Sequence, residues 1–152
     1  MKSIKPINDF FRSETYAIVG ISGKKKHFGN YVFKQLLQRN FSLVPVHREL
    51  KTFENIECHR SVSEAAKHRK IDAAIVLVNK NNIREAVTDC IEAGIKNIWV
   101  QQGSETSEII ETADRYGVNL IYGECIIMFL DNPGLGHKLH RTINKIIGLY
   151  PK

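Results

Sequence analysis

The chain has few cysteines, few prolines and no long apolar run, and each shortage excludes something. Its three cysteines, Cys58, Cys90 and Cys125, lack the spacing of a metal-ligand set. An odd number with no framework reads as reduced thiols and predicts a cytoplasmic protein. No apolar run approaches the roughly 20 residues of a membrane-spanning helix. Met1-Lys2-Ser3-Ile4-Lys5-Pro6 has no apolar stretch of the kind a secretion signal needs, so no membrane partner is expected. Internal repeats, low-complexity segments and a second domain are all missing, which predicts one domain over residues 1–152. Acidic side chains are the minority, 16 against 22 lysines and arginines, for a net charge of +6. That excess suits a polyanionic small ligand or a nucleic acid. The aromatic–basic interleaving of RNA-recognition modules is absent. The one tight basic cluster, Lys24-Lys25-Lys26, favours a local phosphate site, so a nucleic-acid partner is not expected.

What is present is an alternation of strands and helices. Apolar runs predict strands at Tyr16–Gly20, Phe41–Val46, Ala73–Val78, Ile98–Gln101 and Val118–Tyr122. Ala73–Val78 is apolar throughout, as in a parallel strand covered on both faces. Helices are predicted over about 3–13, 30–39, 61–68, a stretch opened by Asn81 or Asn82, Ser104–Tyr116 and His137–Ile147; residues 47–60 read as irregular. Ser61-Val62-Ser63-Glu64 is a capping box. Ile83, Ala86, Val87, Cys90 and Ile91 form an amphipathic stripe, and Gly94 stands where a helix C-terminus wants glycine. The pattern predicts an α/β fold: a doubly wound, mostly parallel five-stranded sheet in three layers, strand order 3-2-1-4-5. The ligand crevice should lie at the carboxyl ends of the strands, where the order reverses.

The loops expected at that edge carry the chemistry. Gly20-Ile21-Ser22-Gly23 follows the first strand and precedes a helix, the arrangement that presents backbone N–H groups to a phosphate. It departs from the dinucleotide fingerprint, with Ser22 and Lys25 in place of two glycines, and from the Walker loop, with Ile18 and Lys25 at positions that need glycine and a hydroxyl residue. Hydride transfer and nucleotide hydrolysis both lose support. Gly20, Ser22, Gly23 and Lys24 remain candidates for holding phosphate. After the second strand stand His47 and Arg48, where an NAD site would carry an acidic residue. Basic groups there suit a ribose bearing an extra phosphate, as in NADP or coenzyme A. Val78 and Asn79 follow the third strand, Asn79 as a ligand contact or a helix cap; Gln101–Ser104 stands to approach the ligand's far end. Cys125 reads as a small buried residue or as a thiol near the ligand. His137 and His140 have metal-compatible spacing without a third ligand, so neither a metal site nor a catalytic set is assigned.

Four segments in order resemble the stand-alone CoA-binding domain family, itself similar to the N-terminal domain of the succinyl-CoA synthetase α-subunit. They are Ala17–Ser22, Val44-Pro45-Val46, Ile91–Gln101 and Gly123–Met128, and the likeness runs over about residues 12–130. The resemblance implies a Rossmann-like fold and coenzyme A as cofactor, with the phosphates on Gly20, Ser22, Gly23 and Lys24. Where the family reads Val-Asn-Pro-Lys after the second strand, this chain has Val46-His47-Arg48-Glu49, which leaves Arg48 or His47 to supply the charge. The synthetase's phosphorylated histidine belongs to another domain, so ligase activity is not implied. The resulting expectation is a non-catalytic binding protein for coenzyme A or an acyl-CoA, as a homodimer or with a partner enzyme. The alternatives are an NADP-linked oxidoreductase and a basic nucleic-acid-binding or interaction protein.

Overall fold

A computed structural model describes residues 5–130. The helix expected at His137–Ile147, with His137 and His140, lies outside the described residues. The elements run α1 (Lys5–Phe11), β1 (Thr15–Val19), α2 (Phe28–Leu37), β2 (Ser42–Val46), β3 (Thr52–Phe53), β4 (Ile56–Glu57), α3 (Val62–His68), β5 (Ala73–Val76), α4 (Lys80–Glu92), β6 (Asn97–Gln101), α5 (Ser107–Arg115) and β7 (Asn119–Glu124). A 3₁₀ turn, Ile126–Phe129, follows.

The five main strands are parallel and lie in the order β2-β1-β5-β6-β7. In the numbering of the expected strands this is 2-1-3-4-5, not 3-2-1-4-5. The physical reason is Pro45. The two polar groups of one strand residue point the same way, and the Pro45 carbonyl accepts from His59 N (3.1 Å) on the side away from β1. Its missing N–H therefore faces outward too. A residue without a donor belongs on an edge strand, so the third strand crosses to the other side of β1. Residues 47–60 are not irregular as expected. They hold the antiparallel β3–β4 hairpin, whose Glu54 and Asn55 both take positive φ, 48° and 62°. Right-twisted two-residue turns require that geometry.

Side chains alternate between two cores. Phe10, Tyr16, Ile18, Phe33, Leu36, Ile75, Trp99 and the 3₁₀ turn fill the layer under α1 and α2. Ala17, Val44, Ala74, Val76, Ile83, Val87, Ile98, Val100 and Ile109 fill the layer under α3, α4 and α5. Each fully buried valine, leucine, isoleucine or phenylalanine side chain contributes roughly 1.5–3 kcal/mol. β5, all apolar, is the central strand and is buried at every position. Several helix ends follow local chemistry. Ser61 Oγ accepts from Glu64 N (2.9 Å), as the capping box predicts, while Glu64 reaches back to Arg60 N. Gly94, at φ 82°, ends α4 as expected. The cap of α4 is Asn79, however, not Asn81 or Asn82. α5 begins at Ser107 behind the cap Thr106, three residues later than expected.

Two polar contacts fasten α1 and the sheet's amino end. The buried Tyr16 hydroxyl donates to Ser13 O (2.8 Å), and burial pushes its pKa up to about 12. The Asp72 carboxylate accepts from Thr15 N (3.0 Å) and Glu14 N (3.1 Å) and pairs with Lys70 at 3.2 Å. Burial alone would raise its pKa, but those hydrogen bonds and the lysine outweigh it and hold the carboxyl below its usual range. A folded pKa below the unfolded one adds stability above the unfolded value, near 3.9, that is lost as pH falls. Asp72→Asn is expected to cost about 1 kcal/mol at neutral pH and to flatten the loss between about pH 5 and 2. Urea unfolding of both proteins across that range checks it; equal pH slopes would reject the assignment.

Candidate functional site

The order of the strands reverses between β1 and β5, and a cleft of about 480 Å³ opens there at the carboxyl ends of the strands. The walls are Gly20, Ile21 and Ser22 after β1, His27 and Phe28 at the start of α2, Leu77, Val78 and Asn79 after β5, Asn82 on α4, and Gln101 and Ser104 after β6. Its size is that of ordinary small-molecule sites. A second groove of about 450 Å³ between α4 and α5 reaches Lys96 and Tyr116 toward the opposite end of the strands, and the Arg84–Glu108 ion pair (3.0 Å) crosses it.

Glycine is required at two points of the first loop. Gly20 has φ 115°, and a Cβ there would meet the Leu77 carbonyl carbon and oxygen at 2.7 Å. Gly29, in the first turn of α2, is tighter still: a Cβ would lie 1.9 Å from Gly20 O. Together they seat the N-terminus of α2 directly on the end of β1. Gly29 thus takes the helix–strand packing role that the dinucleotide fingerprint gives its third glycine, but farther along the chain. The loop's shape is set by Asn30, which is 94% buried by its 6% exposure. Its Oδ1 accepts from Ser22 N (2.8 Å), and its Nδ2 donates to Ser22 O (2.8 Å) and Lys24 O (2.9 Å). Ser22 Oγ accepts from Lys24 N (3.1 Å), so the N–H groups of Ser22 and Lys24 are engaged within the loop.

The expected site residues divide. Gly20, Ser22, Val78 and Asn79 line the cleft. Gly23 and Lys24 stand exposed on the same loop, with Gly23 facing Leu50 of the segment after β2. His47 and Arg48 are not among the lining residues. His47 Nδ1 accepts from Glu49 N (3.1 Å) and Leu50 N (3.0 Å), which folds the turn after β2. Arg48 is ion-paired with Glu85 of α4. Gln101 and Ser104 reach the cleft as expected, and Gln101 Oε1 accepts from Ile126 N (3.3 Å). Cys125 is buried in the layer under α1 and α2. Burial raises the thiols of Cys58 and Cys90 above their ordinary value, away from the reactive thiolate.

Sequence reasoning passed over His27, Gly29 and Asn30. The signal was a glycine inside an amphipathic helical pattern, which asks for a packing or functional reason. Placing the helix start at residue 30 hid it; α2 begins at Phe28, with His27 as its cap.

Comparisons with known proteins agree with the fold. The alpha subunit of ADP-forming acetate–CoA ligase II of Pyrococcus furiosus is 27% identical over 128 residues, covering 77% of this chain and 28% of that protein. ADP-forming acetate–CoA ligase I of Archaeoglobus fulgidus is 30% identical over 133 residues, covering 78% of this chain and 18% of that protein. The chain therefore spans less than a third of the length of either ligase. Among solved structures, a conserved hypothetical protein from Pyrococcus furiosus superposes with a TM-score of 0.71 at 31% identity, covering 77% of this chain and 99% of that one. Residues 14–131 match the family described as the CoA binding domain, and the chain belongs to that family.

Proposed function

We propose that this chain is a non-catalytic module that binds coenzyme A or an acyl-CoA in the cleft between β1 and β5. The observation that carries the reading is the Gly20–Ser22 loop, held against α2 by Gly29 and Asn30, in a chain of the CoA binding domain family. The lining supports the non-catalytic part. Apart from His27 it offers amides, hydroxyls and apolar groups, and His27 Nδ1 serves as a helix cap. No described helix is long and apolar enough to cross a membrane, and the composition suits the cytoplasm.

A ligand that binds only the folded state stabilises it by about 2.7 kcal/mol at a hundredfold excess over Kd. At roughly 3 °C per kcal/mol, coenzyme A is expected to raise the melting temperature by about 8 °C. NADPH is expected to leave it unchanged. No shift at millimolar coenzyme A would sink the proposal, and a larger shift with NADPH would favour the oxidoreductase reading.

A relative's name supports a second element: the Pyrococcus furiosus protein is the alpha subunit of its acetate–CoA ligase. We infer that its coenzyme A serves a partner enzyme, or a second copy of itself. Native mass spectrometry of protein purified without tags from its own cells reads both the ligand and the partner.

A further inference from the structure

Three side chains of the cleft share one pattern. Ser22 Oγ accepts from Lys24 N at 3.1 Å, His27 Nδ1 from Gly29 N at 3.2 Å, and Asn79 Oδ1 from Asn81 N at 3.0 Å. In each case an acceptor atom takes one backbone N–H; Ser22 Oγ and Asn79 Oδ1 keep a second lone pair, but His27 Nδ1 has only the one, so the His27 ring has only hydrogen left to offer a ligand. An imidazole whose Nδ1 accepts must carry its proton on Nε2. A ring N–H that can only donate, beside the Ser22 hydroxyl and the Asn79 amide, suits an anion.

His27 is the unusual member of the set. Caps are ordinarily serine, threonine, aspartate or asparagine, and each of these would satisfy Gly29 N. None would place a ring N–H at the edge of the cleft. The turn after β2, where a ribose-phosphate reader was expected, is otherwise engaged: Arg48 pairs with Glu85, and His47 Nδ1 holds the turn itself. Resting on the reading of this cleft as a coenzyme A site, we propose that His27, fixed by its capping bond as the Nε2–H tautomer, is a binding residue that donates to a phosphate oxygen of the ligand, and that Arg48 is not.

The test uses the full chain, the variants His27→Ser and Arg48→Ala, and two probes, coenzyme A and inorganic pyrophosphate. Serine keeps the cap and removes the ring, so His27→Ser should melt within about 2 °C of the unchanged protein. It should bind coenzyme A about tenfold more weakly, the loss of one hydrogen bond to a charged group. Arg48→Ala should bind within about twofold of the unchanged protein. Correlation of the ring nitrogens with their carbon-bound protons by NMR should show His27 protonated at Nε2 and bare at Nδ1, with the Nε2 signal moving as either probe is added. The inference is overturned if His27→Ser binds as tightly as the unchanged protein, if Nδ1 carries the proton, or if the loss falls on Arg48→Ala instead. If coenzyme A fails to bind the unchanged protein, the reading of the cleft as a coenzyme A site fails. Pyrophosphate still decides for His27 in that case: a shifted Nε2 signal supports the donor role and an unmoved one rejects it.

Discussion

Gly29→Ala is expected to lower stability by about 3 kcal/mol, which at roughly 3 °C per kcal/mol is a fall of about 9 °C in melting temperature. The substitution improves intrinsic helix propensity by about 1 kcal/mol, so a purely local view expects the opposite sign. The packing decides. The added methyl would stand 1.9 Å from Gly20 O and 2.8 Å from the Gly20 carbonyl carbon, and both are backbone atoms that no rotamer change can move. Relief requires α2 to move off the end of β1. That motion also carries away Asn30 and His27, which sit on the same turn, so coenzyme A affinity should fall by more than tenfold. Thermal melts by circular dichroism and calorimetric titration read the two effects. A melting temperature equal to or above that of the unchanged protein would show that the helix and strand are not in contact as described.

Asn30→Asp is expected to cost about 3 kcal/mol at pH 7 although it exchanges one atom for another of similar size. Oδ1 would still accept from Ser22 N. The atom replacing Nδ2 would face Ser22 O and Lys24 O, at 2.8 and 2.9 Å, with oxygen opposed to oxygen. Two acceptors lose their donor and a carboxylate is introduced at a site with 6% exposure. Such a carboxyl resists ionisation, so its folded pKa lies above the unfolded value near 3.9. The sign follows: the variant recovers part of its stability below the unfolded value and loses it as pH rises from there through the raised folded one. This is opposite to the behaviour expected of the Asp72 carboxyl, and the two serve as mutual controls. Urea unfolding at pH 4 and pH 7 distinguishes them. A variant equally stable relative to the unchanged protein at both pH values would mean that Asn30 does not hold the loop.

Much of the fold was legible because apolar alternation and continuous apolar runs report burial directly. β5 is recognisable as a strand covered on both faces, and it is the central strand. The stripe on α4 names the side chains that reach the core. The strand order was misread although Pro45 carried the information: its lack of a donor excludes an interior position, and 3-2-1-4-5 would have put it in one. The short β3–β4 hairpin was hidden because its turn is made by Glu54 and Asn55 rather than by glycine, and two-residue strands leave no periodicity to read. That Gly20, Ser22, Val78 and Asn79 line the cleft was legible from the strand ends and the glycine loop, since a doubly wound sheet puts those positions beside its crevice. Whether a basic side chain faces a ligand or a neighbouring carboxylate is a tertiary fact. The Arg48–Glu85 pair joins residues 37 positions apart, and no local pattern announces it.

The segment leaving the hairpin has a consequence for how this chain behaves among its own copies. His59 bridges Val46 beside the outer edge of β2, with His47 N donating to His59 O at 2.8 Å, and Pro45 offers that edge no donor. An exposed edge is a template on which a foreign strand can grow, and an unguarded one leads toward fibres. Here the template is occupied at Pro45, Val46 and His47. A foreign strand would have to displace the segment at His59 before it could pair with the carboxyl half of β2, so the sheet does not continue from there into a neighbouring copy.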